Sequence, residues 1–308
     1  MNDRRRINGP PGGTTAPVYA RCVSQVVDDV RDSPQRTRPA NSPRKMFLKT
    51  GVTPSASGSA YLELESSGSA NSRLVSLSSS SLKLTCTVHG PRPLPRSAPF
   101  TPHVVLSAHV KYAPFATGRR RGYIRDASER DLAVHLETAL RGVIIGDRWP
   151  KSGVEVVITI LEGEDDQWSG NKRASSNGEQ LSLMSVLGGC ITVASAAIAD
   201  AGIDCVDVVS GGVVALVRGP KETSMVLDPV PSEHSEILAA CVVGYLPSRD
   251  EITDLWMTGD LGLAAGHELA SENLAYEGLT ESAIQAARGS HHVLTAALKE
   301  AAELKWRI

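Results

Sequence analysis

Aromatic side chains are scarce in this 308-residue chain, which holds three phenylalanines and four tryptophans and is 4% aromatic. That is too few for a dedicated platform of stacked rings reading several unpaired bases. Cysteine is scarce as well. Cys22, Cys86, Cys190, Cys205 and Cys241 are odd in number and form no CxxC pair, which argues against a disulfide frame or a zinc site. Four of them fall inside apolar strand or helix patterns, where cysteine acts as a small buried hydrophobe, and a reducing compartment is expected. An excess of one charge is missing too: the formal net charge is −2, so any contact with nucleic acid must be local. No apolar run is read as reaching the ~18 residues that a membrane span needs. Arg4, Arg5 and Arg6 have no apolar stretch behind them, so no secretory signal is expected. A soluble intracellular protein with no membrane partner follows as the expectation.

What is present is organised around Leu181 to Asp228, which reads as a long apolar helix, a strand, a turn and a second strand. The helix follows Gly188-Gly189 with Ala194, Ser195, Ala196, Ala197, Ala199 and Ala201. Apolar on most faces, it should be buried, and its small residues let neighbours approach closely. Gly202 stands where a left-handed C-terminal cap is expected.

Residues 1–43 mix Pro, Gly, Thr, Arg and Asp with little periodicity and are expected to form a disordered N-terminal extension. Residues 44–308 are expected to form one domain. MFLKTGV, AYLELES, SLKLTCTVHGPR, PHVVLSAHVKYAPFA and VEVVITILE read as strands, several of them alternating as half-buried strands do. Between the last two lies a helix for which Ser128 and Asp131 have capping-box spacing, with Leu132, Leu136, Ala139, Leu140 and Val143 on its apolar face. After Asp228 come two strand patterns, EILAACVVGYL and EITDLWMTGD, joined at the turn Pro247-Ser248-Arg249-Asp250. From Leu263 the pattern is helical, with Gly289 read as a break between two segments. This order predicts an α/β or α+β domain.

The positive functional signal is a basic loop. Arg119, Arg120 and Arg121, with Tyr123 and Arg125, set several guanidinium groups near one ring. Arginine forks fit phosphate oxygens, and a tyrosine face can stack on an unpaired base. A solvated loop, or ion pairs to a neighbouring subunit, are the alternatives. Arg92 and Arg96 form a weaker second basic patch. Other chemistry is poorly supported. His103 and His109 are six residues apart with no Cys or carboxylate frame, and His291-His292 sits at the expected helix break. Ser210-Gly211-Gly212 lacks the GxSxG spacing of a nucleophile turn. Gly188-Gly189 lacks the spacing of a phosphate-binding loop.

The words GSAYLELE, TCTVHGPR, SERDLAVHLETALRGVI, VEVVITILEGE, GGCITVASAAIADAGI, VSGGVVALV and MVLDP, in that order, resemble the RNase PH family. Within it the chain is most similar to the non-catalytic ring subunits of the eukaryotic RNA exosome, of the fungal mRNA-transport-regulator type. KTGVTPSASGSAYLELE and DRRRINGP suggest that subtype. The resemblance spans roughly residues 44 to 305. It implies an α+β fold of two layers, like domain 2 of ribosomal protein S5, with a mixed sheet packed against helices. The family's chemistry is phosphorolysis of RNA from its 3′ end, which needs donors for the attacking phosphate and carboxylates to position a metal or handle a proton. The place of the glycine- and arginine-bearing phosphate loop is held here by Glu179, Gln180, Leu181 and Ser182. Asp228 matches the first aspartate, the second falls on His234, and Val134 takes the place of a basic or polar RNA contact. The resemblance therefore implies no enzyme activity, no cofactor and no metal. It implies other RNase PH-like ring subunits and S1/KH-type cap subunits as partners, single-stranded RNA passing a central channel, and a place in nucleus, nucleolus and cytoplasm. Two other readings stand beside it. One is an active phosphate-dependent exoribonuclease using Asp228 with Glu233 or Glu236; the other is a free-standing RNA-binding protein.

Overall fold

Among the described residues, nine strands form where the sequence alternates or runs apolar, and they sort into two sheets with a buried helix between them. The computed structural model describes residues 36, 38–65, 81–117, 121–164, 176–218, 223–234, 236–259 and 269–306. All of them belong to one unit, Pro34–Ile308. The first sheet contains β1 (Met46–Thr50), β2 (Gly58–Leu64), β3 (Leu82–Pro93), β4 (Val105–Tyr112) and β5 (Ser152–Glu162) in the order β1-β2-β3-β5-β4. It is mixed: β4 runs parallel to β5, and the other pairings are antiparallel. The second sheet is antiparallel, in the order β7-β6-β8-β9, from β6 (Ser210–Arg218), β7 (Thr223–Leu227), β8 (Ile237–Leu246) and β9 (Glu251–Gly259).

Among the described residues, three α-helices cover these sheets: α1 (Ala127–Arg141), α2 (Ser176–Asp200) and α3 (Leu269–Trp306). Helix α2 packs on β2 and β3 from one side and on β6 and β8 from the other, while α3 packs on the far face of β6 and β8. The strand patterns follow from this layering. Strands β6 and β8 have helices on both faces, so nearly every residue is buried and the sequence runs apolar without alternation. Strands β2, β3 and β5 have one covered face, and they alternate.

Adjacent glycines let the layers close. A Cβ on Gly189 would lie 2.8 Å from Leu84 Cδ1 in the first sheet, and one on Gly188 would lie 2.8 Å from Val213 Cγ2 in the second. Successive helical residues point about 100° apart, so the pair serves two sheets at once. Gly211 and Gly212 do the same along a strand, where neighbours point to opposite faces. A Cβ on Gly211 would lie 2.1 Å from Gly188 O, and one on Gly212 would lie 2.2 Å from Ala283 O on α3. The polar groups enclosed here find partners. Thr192 Oγ1 donates to Gly188 O at 3.0 Å and accepts from Gly211 N at 3.0 Å, and Ser210 Oγ donates to Ala287 O at 2.9 Å.

The α+β class with a mixed sheet against helices is as expected, and the second sheet adds to it. Three local expectations are corrected. The stretch Gln180–Asp200 is long and apolar enough to cross a membrane by length and composition, because its Gly, Ala and Ser add little polarity; with 89% of its most apolar window buried, it is a core helix. Helix α3 runs unbroken through Gly289, where a Cβ would approach only Pro43 Cγ, at 4.0 Å. Helix α1 starts one residue before Ser128, capped by Asp126 in a capping box with Glu129. The expected cap at Ser128 loses because Glu129 is drawn inward to the backbone of β4. At the other end of the central helix, Gly202 adopts φ +71°, the left-handed cap that was expected.

Candidate functional site

Arg36, Arg38 and Arg44, on either side of the boundary expected at residue 44, fasten that part of the chain to the end of β7 and the turn after it. Arg44 is buried and grips Asp228 with its fork: Nε donates to Oδ2 at 2.8 Å, Nη2 to Oδ1 at 2.7 Å, and the backbone N–H adds 2.9 Å to Oδ2. Its remaining nitrogen, Nη1, donates to the buried Glu164. Arg38 Nη2 donates to Glu233 at 3.1 and 3.3 Å. Arg36 donates to the carbonyls of Pro39, Ala40, Ser42 and Leu227 at 2.9–3.4 Å and lies 3.6 Å from Glu233. Asp228 itself holds φ +48°, which aspartate tolerates better than most residues.

Three cations and three carboxylates therefore share one partly enclosed cluster, and their protonation reflects it. Burial alone would raise the Asp228 carboxyl, but the charge and hydrogen bonds of Arg44 hold it below the usual carboxylate range. Burial works against the charge on Arg44 as well, and Asp228 and Glu164 outweigh it, so that guanidinium is held more firmly protonated than usual. His234, at the position of the family's second aspartate, is pushed down to about 4 by burial and by the charges of Arg36 and Arg38. Its Nε2 is buried with no hydrogen-bond partner among the described residues, as is Arg38 Nη1.

The place assigned to a phosphate loop is helical. Residues 179–182 lie within the first two turns of α2, Gln180 accepts a hydrogen bond from Thr258 Oγ1, Leu181 is buried and Ser182 is half-buried. No arginine enters from this segment. Val134 stands exposed on α1, so this position offers a contacting RNA no charge.

The basic loop is held at both ends by one carboxylate. Glu129 is fully buried and accepts from Tyr112 N at 3.0 Å, from Lys111 Nζ at 2.9 and 3.0 Å, and from Asp126 N at 3.0 Å. It thus joins the end of β4, where the loop begins, to the cap of α1, where it ends. Arg119 and Arg120 lie outside the described residues. Arg121 is turned back on the domain, with Nη1 3.1 Å from Asp126 Oδ2 and its guanidinium 4.8 Å from the centre of the Tyr112 ring. Arg125 Nη1 contacts His109 Nδ1 at 3.0 Å. Tyr123 is 90% exposed, and Ile124 beside it is exposed as well. The loop therefore presents an outward ring backed by a fixed base. Arg92 contacts His89 Nδ1 at 3.3 Å and Arg96 is exposed.

Sequence reasoning missed Glu129 and the arginine segment. The Asp126-x-x-Glu129 spacing could have signalled the first. Nothing local marks Arg36, Arg38 or Arg44, whose carboxylate partners are 120 or more residues away.

The remaining candidates are structural. His109 lies on β4 and His103 precedes it, beside Asp147. His291 and His292 are within α3. Burial raises the thiols of Cys86, Cys190, Cys205 (to about 11) and Cys241 (to about 12), so none is a thiolate at neutral pH. Among the described residues, no group of three or more His, Cys, Asp or Glu could hold a metal ion.

Residues 42–204 match the family model RNase_PH, described as 3′ exoribonuclease family, domain 1. The chain is 57% identical to the exosome complex component MTR3 of Chaetomium thermophilum, over 97% of this chain and 99% of that protein. It is 29% identical to the human exosome complex component MTR3, over 93% and 96% of the two chains. The crystal structure of rice Rrp46 has the same fold, with a TM-score of 0.61 at 15% identity, covering 85% of this chain and 98% of that one.

Proposed function

The chain belongs to the RNase PH family of 3′ exoribonucleases, and from that premise we propose how it serves RNA decay without cutting RNA. It is a non-catalytic RNase PH-like ring subunit of the RNA exosome, as its near-full-length likeness to MTR3 proteins from three species supports. Other ring subunits are its neighbours in that assembly. The observation that carries the non-catalytic reading into chemistry is the grip of Arg44 on Asp228, which uses both carboxylate oxygens. A carboxylate whose two oxygens are drawn to one buried guanidinium is turned from the metal-orienting and proton-transfer roles that phosphorolysis asks of it.

Its contribution to RNA handling is passive guidance. The loop of Arg119, Arg120, Arg121, Tyr123 and Arg125 faces the channel and touches single-stranded RNA on its way to a nuclease elsewhere, with Tyr123 stacking, the arginines meeting phosphates, and Arg121 exchanging its pair with Asp126 to do so. Arg92 and Arg96 add a second contact. S1/KH-type cap subunits sit above it, and the assembly works in nucleus, nucleolus and cytoplasm. The exposure of Tyr123 and the clamp by Glu129 support the loop assignment.

Ring particles carrying Tyr123→Ala, or Arg119 to Arg121 replaced by Glu, test this contact. The expected result is weaker protection of a long single-stranded RNA from added nuclease, with the particle intact. Unchanged protection by both variants removes the loop from the RNA path. The isolated chain should release no nucleoside diphosphates from RNA in the presence of phosphate; release at enzymatic rates would restore the exoribonuclease reading.

A further inference from the structure

We propose that Arg36, Arg38 and Arg44 form an ionic latch whose guanidinium groups fill the cation position beside Asp228 and Glu233, closing the N-terminal strap and shutting out divalent ions. Three observations carry this. First, both carboxylate oxygens of Asp228 and of Glu233 are occupied, and so is Glu164 Oε1, while Glu164 Oε2 is buried with no hydrogen-bond partner among the described residues. Asp228 receives three hydrogen bonds from Arg44, at 2.7, 2.8 and 2.9 Å, Glu233 receives Arg38 at 3.1 Å, and Glu164 receives Arg44 Nη1. Second, the charges balance, since three arginines face Asp228, Glu233 and Glu164, leaving no excess of negative charge to attract a metal. Third, the charges of Arg36 and Arg38 bear on the His234 ring and oppose a further cation there, although its buried Nε2 has no hydrogen-bond partner among the described residues.

The strap is tied by more than these ion pairs. Arg36 Nη2 gathers the carbonyls of Pro39, Ala40 and Ser42 from the strap with that of Leu227 from β7. Leu227 N donates in turn to Ala40 O at 2.9 Å, and Ser42 N donates to Pro39 O at 3.1 Å. Carboxylate chemistry that the family implies at this place does not fit these residues, and the position has become a fastening. This stands apart from the ring-subunit reading, because metal exclusion and strap closure are read on the full chain whether or not it assembles.

Manganese is the probe, followed by electron paramagnetic resonance of the free ion in titrations of the full chain. The wild-type protein should leave Mn2+ free at millimolar concentration. So should His234→Asp, which restores a second aspartate; that carboxylate meets Arg36 and Arg38 instead, and the thermal midpoint should rise by several degrees. Stoichiometric Mn2+ binding by either protein overturns the latch. In Arg36→Met/Arg38→Met, exchange of the Leu227 and Ser42 amides should quicken roughly tenfold or more as the strap frees itself, while amides of β6 and β8 hold their protection. Unchanged exchange at both amides also overturns it. Should the double variant fail to fold, the manganese titrations of wild type and His234→Asp still decide.

Discussion

Arg44 Nη2 lies 2.7 Å from Asp228 Oδ1 while Arg44 Nε lies 2.8 Å from Oδ2, a two-toothed pairing between a residue two positions before β1 and the residue just after β7. It bridges 184 positions of sequence and ties the edge of the first sheet to the second. The same arginine neutralises Glu164, so its removal leaves two carboxylates without their partner. Arg44→Met should cost about 3–5 kcal/mol of stability, the range seen when one member of a buried pair is deleted. Arg44→Lys should recover little, because an ammonium cannot reach both Asp228 oxygens and Glu164 in one plane. Urea denaturation of the three proteins measures both effects, and equal stability of the Arg44→Lys variant and wild type would contradict the geometry.

His234 gives stability a specific acid limb. Its pKa is pushed from 6.5 down to about 4 in the folded chain, so the unfolded chain binds the proton first as pH falls. The stabilisation is complete above pH 6.5 and is lost progressively between there and about 4. Asp228, whose carboxyl is held low chiefly by Arg44 against the effect of burial, adds its loss only at lower pH. His234→Gln removes the first of these, and its unfolding free energy should be flatter than wild type between pH 6.5 and 4.5. Parallel curves for the two proteins would contradict the burial of this ring beside Arg36 and Arg38.

Gly211→Ala tests the close approach of β6 to α2. Its Cβ would sit 2.1 Å from Gly188 O and 2.5 Å from Gly188 Cα, both backbone atoms that cannot rotate away. A loss at or above ~3 kcal/mol is expected. Gly122→Ala, where nothing lies within 4 Å, should stay within ~0.5 kcal/mol of wild type. Thermal unfolding of the pair decides between contact and mere composition.

Legibility in the sequence divides along the range of the interactions. All nine strands and the order of the helices could be read, because alternation in AYLELES or VEVVITILE records one covered face, and unbroken apolar runs such as ILAACVVGYL record two. Gly188-Gly189 and Gly211-Gly212 looked like failed motifs; they are paired contacts between layers, visible only once the partner strand or helix is in place. The α1 cap moved from Ser128 to Asp126 because Glu129 also serves the backbone of Tyr112 on β4. The loss of the family's carboxylate pair was legible at His234. The fate of the remaining aspartate was not, since Arg44, which occupies it, stands 184 residues away at the first position of the expected domain, and Arg36 and Arg38 beside it lie in a stretch whose composition reads as disordered.

The central claim is that this chain works as one non-catalytic member of a ring of different subunits. Native mass spectrometry of the tagged chain, captured from its own cells, tests that most directly. The account predicts a particle holding one copy of this 32.7 kDa chain among several distinct RNase PH-like partners. A monomer, or a particle made only of copies of this chain, would contradict it.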